Sequence, residues 1–276
     1  LPTRAMRPGA DPLVTTLPPP RVLVAEDNPA NQRLVEQMLH RLGCRVDVVA
    51  DGREAVHAVH RLPYDLVLMD MQMPSMDGLA ATAEIRKLPS PRGALPIVAL
   101  TANAFAGHRV QNFESGANDF LSKPITLETL RQILQRWLPT HFKTAVPREA
   151  MGDAGRAASG VAKVMGLHED LADVHARLRE IAVELDEASV QQILQIVRDD
   201  WPKSLAELDA LVGANDADAA ARKAHYLAGS ALQIGAKRLA GRCRELEAAA
   251  RKLDLAEGRR LLAMLGVHMQ GLLAAL

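Results

Sequence analysis

The sequence predicts two units in tandem: a doubly wound, five-stranded parallel α/β domain over residues 21–139, and an all-α four-helix bundle over residues 186–276. Three observations predict this. From Arg21 to Leu138, five short apolar runs alternate with stretches of helical period, as in strand–helix–strand units with a parallel sheet. Four of those runs end on a polar signature (Glu26-Asp27, Asp70, Thr101 and Lys123), and a parallel sheet gathers all its strand ends on one edge. From Asp186 to Leu276 every periodic stretch is helical with short connections, which makes consecutive helices antiparallel neighbours.

Residues 1–20 are dense in proline and have no period, which predicts a linker. Arg21–Ala25 is the first strand. Pro29 opens a helix, since a first-turn residue has no use for its N–H, and Gly43 closes it. Arg45–Val49 is the second strand, and Asp51-Gly52 turns into a helix stopped by Pro63. Leu66–Met69 is a short apolar run bounded by turn chemistry and ending on Asp70, so it reads as a buried strand. A helix spans Leu79 to Lys87, and Pro89 and Pro91 break it. Leu95–Leu100 is the fourth strand, with a helix to Ser115-Gly116 after it. Asp119–Leu121 is the fifth strand, and a last helix runs from Leu127 to Leu138.

Residues 140–185 begin rich in Gly and Ala, as a flexible linker. They continue with a near-heptad series, Leu167, Leu171, Val174, Leu178, Ile181 and Leu185, which predicts either a helix packed on a neighbouring domain or a short coiled coil that could dimerise. In the bundle, Ala188–Leu211 is a long helix with Pro202 inside it, which predicts a kink or break near Trp201. Asn215-Asp216 caps the second helix, Ile234-Gly235 turns into a third over Lys237–Leu253, and Leu255 to Leu273 is the fourth.

Composition narrows the function classes. The chain has 276 residues, enough for about two domains, and 48% hydrophobic content with only 3% aromatics, so its cores are built from Leu, Val, Ile, Ala and Met. The formal net charge is +0, which argues against bulk nucleic acid as a partner. The bundle's helices mix both signs, unlike a DNA-recognition helix. Cys44 and Cys243 have no metal-type spacing and read as buried small hydrophobes. No apolar run is long enough to span a membrane. The chain opens on Leu1, which predicts a piece of something longer.

Asp70 alone is ambiguous between a turn cap and a ligand at the carboxyl edge of the sheet. Convergence with Glu26 and Asp27 favours the second. Three carboxylates within a few Å repel unless neutralised, and Mg²⁺, a hard ion that takes oxygen ligands, is the natural counterion. Lys123 adds positive charge and Thr101 a hydroxyl, so the set suits an incoming phosphoryl group with Asp70 as the nucleophile.

Residues 21–138 resemble the receiver domain of response regulators and hybrid sensor kinases. The resemblance rests on Glu26-Asp27, the D-M-Q-M-P-x-M-D-G run from Asp70, Thr101-Ala102 and Lys123-Pro124, in the family's order and spacing. It implies a flavodoxin-like sheet, Asp70 as phosphoacceptor, and Asp27 and Asp70 as Mg²⁺ ligands with Glu26 acting mostly through water. The backbone carbonyl of Gln72 would be a third protein ligand, and Thr101 and Phe120 a switch pair. Ordinary core packing is the other reading of Phe120.

Mid-helix in the bundle, Lys223-Ala224-His225-Tyr226-Leu227-Ala228-Gly229-Ser230 places Ala228 and Gly229 on the face of His225. A helical glycine costs about 1 kcal/mol relative to alanine, which makes sense where a partner must approach the imidazole closely. The other eight of the 9 histidines have no such setting. Residues 186–276 resemble the histidine phosphotransfer (HPt) domain, through H-Y-L-A-G-S-A-L-Q-I-G-A followed by Cys243 and Leu246-Glu247. That implies His225 as a second phosphoacceptor, with Arg222, Ala228 and Gly229 on its docking face. The chain departs from the family at Ala228, where a lysine is usual, and Arg222 is placed to compensate.

Together the resemblances imply a phosphorelay module. Its partners would be a histidine kinase core, in the same polypeptide or separate, and a downstream response regulator. Its location would be cytoplasmic, within a parent protein that an inner-membrane anchor could hold. A stand-alone relay adaptor and a receiver acting as a phosphorylation-controlled interaction module remain the alternatives. A flexible linker of roughly 45 residues would span about 35–40 Å r.m.s., which permits transfer within one chain.

Overall fold

The sheet has five parallel strands, β1 (Arg21–Ala25), β2 (Arg45–Val49), β3 (Leu66–Asp70), β4 (Ile97–Thr101) and β5 (Asp119–Ser122), in the order β2-β1-β3-β4-β5. The structure is a computed structural model that describes residues 18–101, 116–142 and 166–276. The helix expected before Gly116, Ala102, and the Gly- and Ala-rich half of the linker lie outside those residues. The strand order is that of flavodoxin-like folds: the first crossover moves outward to β2 and the second returns past β1 to β3. The direction of winding therefore reverses between β1 and β3, and ligands bind at that switch point. Asp27 and Asp70 stand there.

Helices cover both faces of the sheet, which is why the strands read as continuous apolar runs. Along β1, Val22 and Val24 face α1 (Pro29–Arg41) and α4 (Leu127–Trp137), whose Leu34, Met38, Leu130 and Leu134 are buried. Leu23 and Ala25 face the other side, with Val59 of α2 (Gly52–Arg61) and Ile85 of α3 (Gly78–Arg86). Each such Leu, Ile or Val contributes about 1.5–3 kcal/mol by burial. Asn28 starts α1 by accepting from the N–H groups of Ala30 and Asn31 at 3.0 and 3.1 Å, with Pro29 in the first turn. Cys44 and Cys243 are both free and buried.

The bundle is α6 (Glu187–Gly213), α7 (Ala217–Gln233), α8 (Lys237–Arg251) and α9 (Leu255–Ala275). Asp186, Asp216 and Asp254 cap α6, α7 and α9, each accepting a backbone N–H. Of the kink or break expected near Trp201, the break does not occur: α6 runs unbroken through Pro202. The proline loses one backbone hydrogen bond, but Val197, Trp201 and Leu208 on either side are buried in the core, and Trp201 Nε1 donates to Ser230 Oγ of α7 at 2.9 Å. Tertiary packing holds the helix where local propensity would end it.

The second half of the predicted linker is a fifth helix of this unit, α5 (Gly166–Glu184). Its Val174, Leu178 and Ile181 are buried in the chain's own core, so the face considered for dimerisation is already covered. Asp170 of α5 accepts from the N–H groups of Arg238 and Leu239, both at 2.9 Å, and so caps α8 from outside; Ala236 at the cap position has no side chain to do it.

The two units are docked on each other. Helix α1 packs against α6 and α7, and the α1 side of the sheet and the bundle interior form one continuous apolar cluster. At its rim, Arg33 donates twice to Gln192 Oε1, at 3.0 and 2.7 Å, and Arg41 donates to the Leu185 carbonyl at 3.0 Å.

Candidate functional site

Parallel pairing brings the strand ends together. Glu26 and Asp27 follow β1, Asp70 ends β3, and the three residues have carboxylate oxygens within 4.8 Å of one another. Lys123, just past β5, bridges two of them: its Nζ lies 2.6 Å from Glu26 Oε2 and 2.6 Å from Asp70 Oδ2. Asn31 Nδ2 donates to Glu26 Oε1 at 2.8 Å, so both oxygens of Glu26 are engaged. Asp70 Oδ1 accepts from the backbone N–H of Gln72 at 3.1 Å. Glu26 is 0%, Asp70 4% and Lys123 8% exposed, so this charge balance is settled with little help from solvent.

The titration of the cluster is set first by burial and then by its excess of negative charge. Burial pushes Asp27 up to about 7; Asp70 adds to that, while Lys123 and His225 pull the other way. Burial also raises Glu26, against the pull of Lys123. Lys123 is held above its ordinary range despite burial, because Asp70 and Glu26 flank it. Three carboxylates face one ammonium. A buried donor set of oxygens with uncompensated negative charge fits a hard divalent cation. Glu26 and Asp70 each have both carboxylate oxygens hydrogen-bonded within the protein, so an ion there would share or displace those contacts.

Thr101 ends β4 in register with Ser122, and its carbonyl accepts from the Lys123 N–H at 2.8 Å. Phe120 is opposite Ala99 and packs against the core on the α2–α3 side of the sheet. The two members of the expected switch pair therefore lie on adjacent strands.

His225 is on α7, where its Nδ1 is 3.1 Å from Glu247 Oε2 of α8. Glu247 is held below the usual carboxylate range: burial opposes this, but its bonds to His225 and Arg251 outweigh burial. An ionised carboxylate only accepts, so Nδ1 carries a proton; in the neutral imidazole Nε2 is then the nitrogen with the lone pair. Arg251 Nη2 donates to the other oxygen of Glu247 at 3.0 Å and holds it in place.

The face of α7 that carries His225 is turned toward the carboxylate cluster. A Cβ on Gly229 would be 3.6 Å from Asn31 Nδ2 and 3.9 Å from Lys123 Nζ. A methyl fits at ordinary contact there, so Gly229 faces the α/β domain of this chain without that contact requiring a glycine. Ala228 is fully buried. A cleft of about 720 Å³ opens between the units, with Asp27 and Gln72 on one side and Arg222, Lys223, Tyr226 and Arg251 on the other. Arg222 thus faces the acidic site.

Sequence reasoning gave no role to Glu247, Asn31, Arg177 or Gln233. Glu247 is 22 positions from His225 on an antiparallel helix, and only the Leu246-Glu247 likeness pointed near it. The others act through tertiary contacts that leave no periodic signal.

Comparison with known proteins places both units in families. Residues 22–135 match the family described as response regulator receiver domain, and residues 192–276 match the Hpt domain. The sensor histidine kinase GacS of Pseudomonas protegens is 33% identical over 237 residues, which cover 85% of this chain and 25% of that protein. The signal transduction histidine-protein kinase BarA of Escherichia coli K12 is 29% identical over 227 residues, 82% of this chain and 23% of that protein. The chain thus spans about a quarter of the length of these curated relatives. Among solved structures, the receiver domain of sensor histidine kinase PA1611 from Pseudomonas aeruginosa, described with a magnesium ion coordinated in its active site cleft, is 47% identical with a TM-score of 0.41, covering 44% of this chain and 98% of that one.

Proposed function

The chain carries a response-regulator receiver domain followed by an Hpt domain, the make-up of a phosphorelay module, and on that premise we propose that Asp70 accepts a phosphoryl group from a kinase phosphohistidine and exchanges it with His225. The observation that carries this reading is the juxtaposition of the two sites, with Lys123 Nζ bound to Asp70 at 2.6 Å and beside Gly229, one turn from His225. The module would be the receiver–Hpt portion of a hybrid sensor histidine kinase, with a separate response regulator as the final acceptor. Among the described residues no helix is long and apolar enough to cross a membrane. A cytoplasmic location, with any anchor elsewhere in the parent protein, fits that reading.

In the first step an oxygen of Asp70 attacks phosphorus, the donor's P–N bond breaks, and the electron pair returns to the donor imidazole. Lys123 is placed to hold the phosphoryl oxygens, and Thr101 to hydrogen-bond one of them. Asp27, Asp70 and the Gln72 carbonyl would hold Mg²⁺, which would supply the remaining positive charge. In the second step the lone pair on His225 Nε2 attacks phosphorus. The P–O bond breaks, and its electron pair stays on the Asp70 carboxylate beside Lys123. No proton moves: Nδ1 keeps its hydrogen, and the positive charge that develops on the ring is balanced by Glu247. Arg222, across the cleft, supplies the cationic character that Ala228 lacks.

Labelling the purified chain with acetyl phosphate and Mg²⁺ tests this assignment. Acid-stable, base-labile label is expected on Asp70 and is lost in Asp70→Asn; acid-labile, base-stable label is expected on His225 and is lost in His225→Gln. Label persisting on the receiver of Asp70→Asn would overturn it.

Mg²⁺ affinity carries a pH signature. Asp27 is pushed up to about 7 without metal, so the ion must displace a proton below that value. Affinity should weaken about tenfold per pH unit below pH 7 and level off above it. Isothermal titration at pH 6, 7 and 8 checks this; equal affinity at all three would contradict it.

A further inference from the structure

We propose that Arg177 and Gln233 are positioning residues that clamp the Lys123–Pro124–Ile125 loop to the bundle, so that Asp70 exchanges its phosphoryl group with His225 of its own chain in preference to another chain's. This rests on the Asp70–His225 exchange proposed above and adds what aligns it. Gln233, the last residue of α7, is 1% exposed, and its carboxamide reads both backbone groups of Ile125. The Ile125 N–H donates to Gln233 Oε1 at 3.2 Å, and Gln233 Nε2 donates to the Ile125 carbonyl at 3.3 Å. Two opposed bonds to one residue fix the orientation of the loop as well as its distance.

Arg177 seals the same point from α5. Its Nη2 donates to the Ile125 carbonyl at 2.8 Å and its Nε to the Gln233 carbonyl at 3.4 Å. The guanidinium is thus tied to one backbone oxygen from each domain while only 6% of the residue is exposed. A buried arginine is costly unless its donors are engaged, and charge-assisted bonds are the strong ones. Its seat is shaped for it: Gly235 has φ +89°, and a Cβ there would be 2.9 Å from the Arg177 Cβ. α5 lies outside the residues 192–276 that match the Hpt family.

The clamp acts at the right place. Ile125 is two residues from Lys123, whose ammonium touches Asp70 and Glu26. Gln233 lies eight residues along α7 from His225, about 12 Å at 1.5 Å per residue. One helix therefore presents the acceptor histidine and grips the loop that holds the donor site. With the clamp closed, Asp70 is only 4% exposed and Gly229 of the chain's own α7 stands beside Lys123, so a foreign bundle competes with the chain's own for that edge.

Opening the clamp should therefore move two rates in opposite directions. In the full chain labelled on Asp70 with acetyl phosphate and Mg²⁺, Arg177→Met and Gln233→Leu are expected to slow Asp70-to-His225 transfer about 10- to 100-fold, through misplacement rather than lost chemistry. Labelling of Asp70 itself should not slow. In the second arm, a His225→Gln chain labelled on Asp70 donates to an added Asp70→Asn chain that supplies His225. The clamp substitutions, placed in the donor, should speed that transfer about threefold or more, because the competent open state is more populated. Arg177→Lys, which keeps the charge and loses the fork, should fall between. Rates unchanged in both arms, or a fall in both for Arg177→Met and Arg177→Lys alike, overturns the clamp. Absence of any His225 label in the unmodified chain overturns the exchange itself, and the two failures are thereby told apart.

Discussion

Lys123→Met is expected to lose phosphotransfer by about 10²- to 10³-fold and, at pH 8, roughly 3–5 kcal/mol of stability. The methionine keeps most of the stem volume, so the effect isolates the charge. Lys123 Nζ is 2.6 Å from both Glu26 and Asp70, and all three side chains are nearly inaccessible to solvent. Removing it leaves two buried carboxylates without a counter-charge. The pH dependence has a fixed sign. Glu26 and Asp27 already titrate above their ordinary range in the folded chain. A carboxyl raised in this way contributes stability that is complete below its unfolded value and is lost as pH rises through the folded one, about 7 for Asp27. Lys123 pulls both groups down, so its loss deepens that decline. Denaturant unfolding at pH 6 and pH 8 should show the variant far weaker relative to the unmodified chain at pH 8. Equal destabilisation at the two values would contradict this account of the pocket.

Glu247→Ala is expected to slow Asp70-to-His225 transfer about 10²-fold while leaving the labelling of Asp70 unchanged. Two losses combine. The hydrogen bond from Nδ1, 3.1 Å long, selects the tautomer that leaves Nε2 nucleophilic. The carboxylate, kept ionised by His225 and Arg251, then balances the charge that develops on the ring. Glu247→Gln restores an acceptor for Nδ1 without the charge, so it should recover part of the rate. Single-turnover transfer from prelabelled Asp70 separates the three proteins. A Glu247→Ala chain that transfers at the unmodified rate would show that the imidazole needs no orienting partner.

The α/β fold was legible because its strands are covered on both faces and end on chemistry. Leu66–Met69, a short apolar run bounded by turn signals, read as a buried strand, and parallel topology then carried Glu26, Asp27, Asp70 and Lys123 to one edge from distant parts of the chain. That argument places residues at an edge but does not pair them: the double contact of Lys123 and the hold of Asn31 on Glu26 depend on side-chain reach. His225 stood out through the glycine one turn along its helix, and Gly229 does lie against Lys123. Glu247, Arg177 and Gln233 were not legible, because each works across an interface between elements far apart in sequence. Of the kink or break expected at Pro202, the break is absent, because burial of Trp201 and its neighbours outweighs the local rule. The Leu167–Leu185 series was rightly seen as an apolar helix face, but periodicity cannot say which surface covers it; Asp170 and Ile181 bind it to the chain's own bundle.

The central claim is that phosphate moves from Asp70 to His225 within one docked chain. The direct test is a chase. Asp70 is labelled with radioactive acetyl phosphate, the donor is removed, and label is followed in base-labile and acid-labile pools over a hundredfold range of protein concentration. Label should pass from the first pool to the second with one first-order rate, independent of concentration, and should not do so in His225→Gln. Label that leaves Asp70 only as free phosphate, or reaches His225 at a rate proportional to protein concentration, would contradict it.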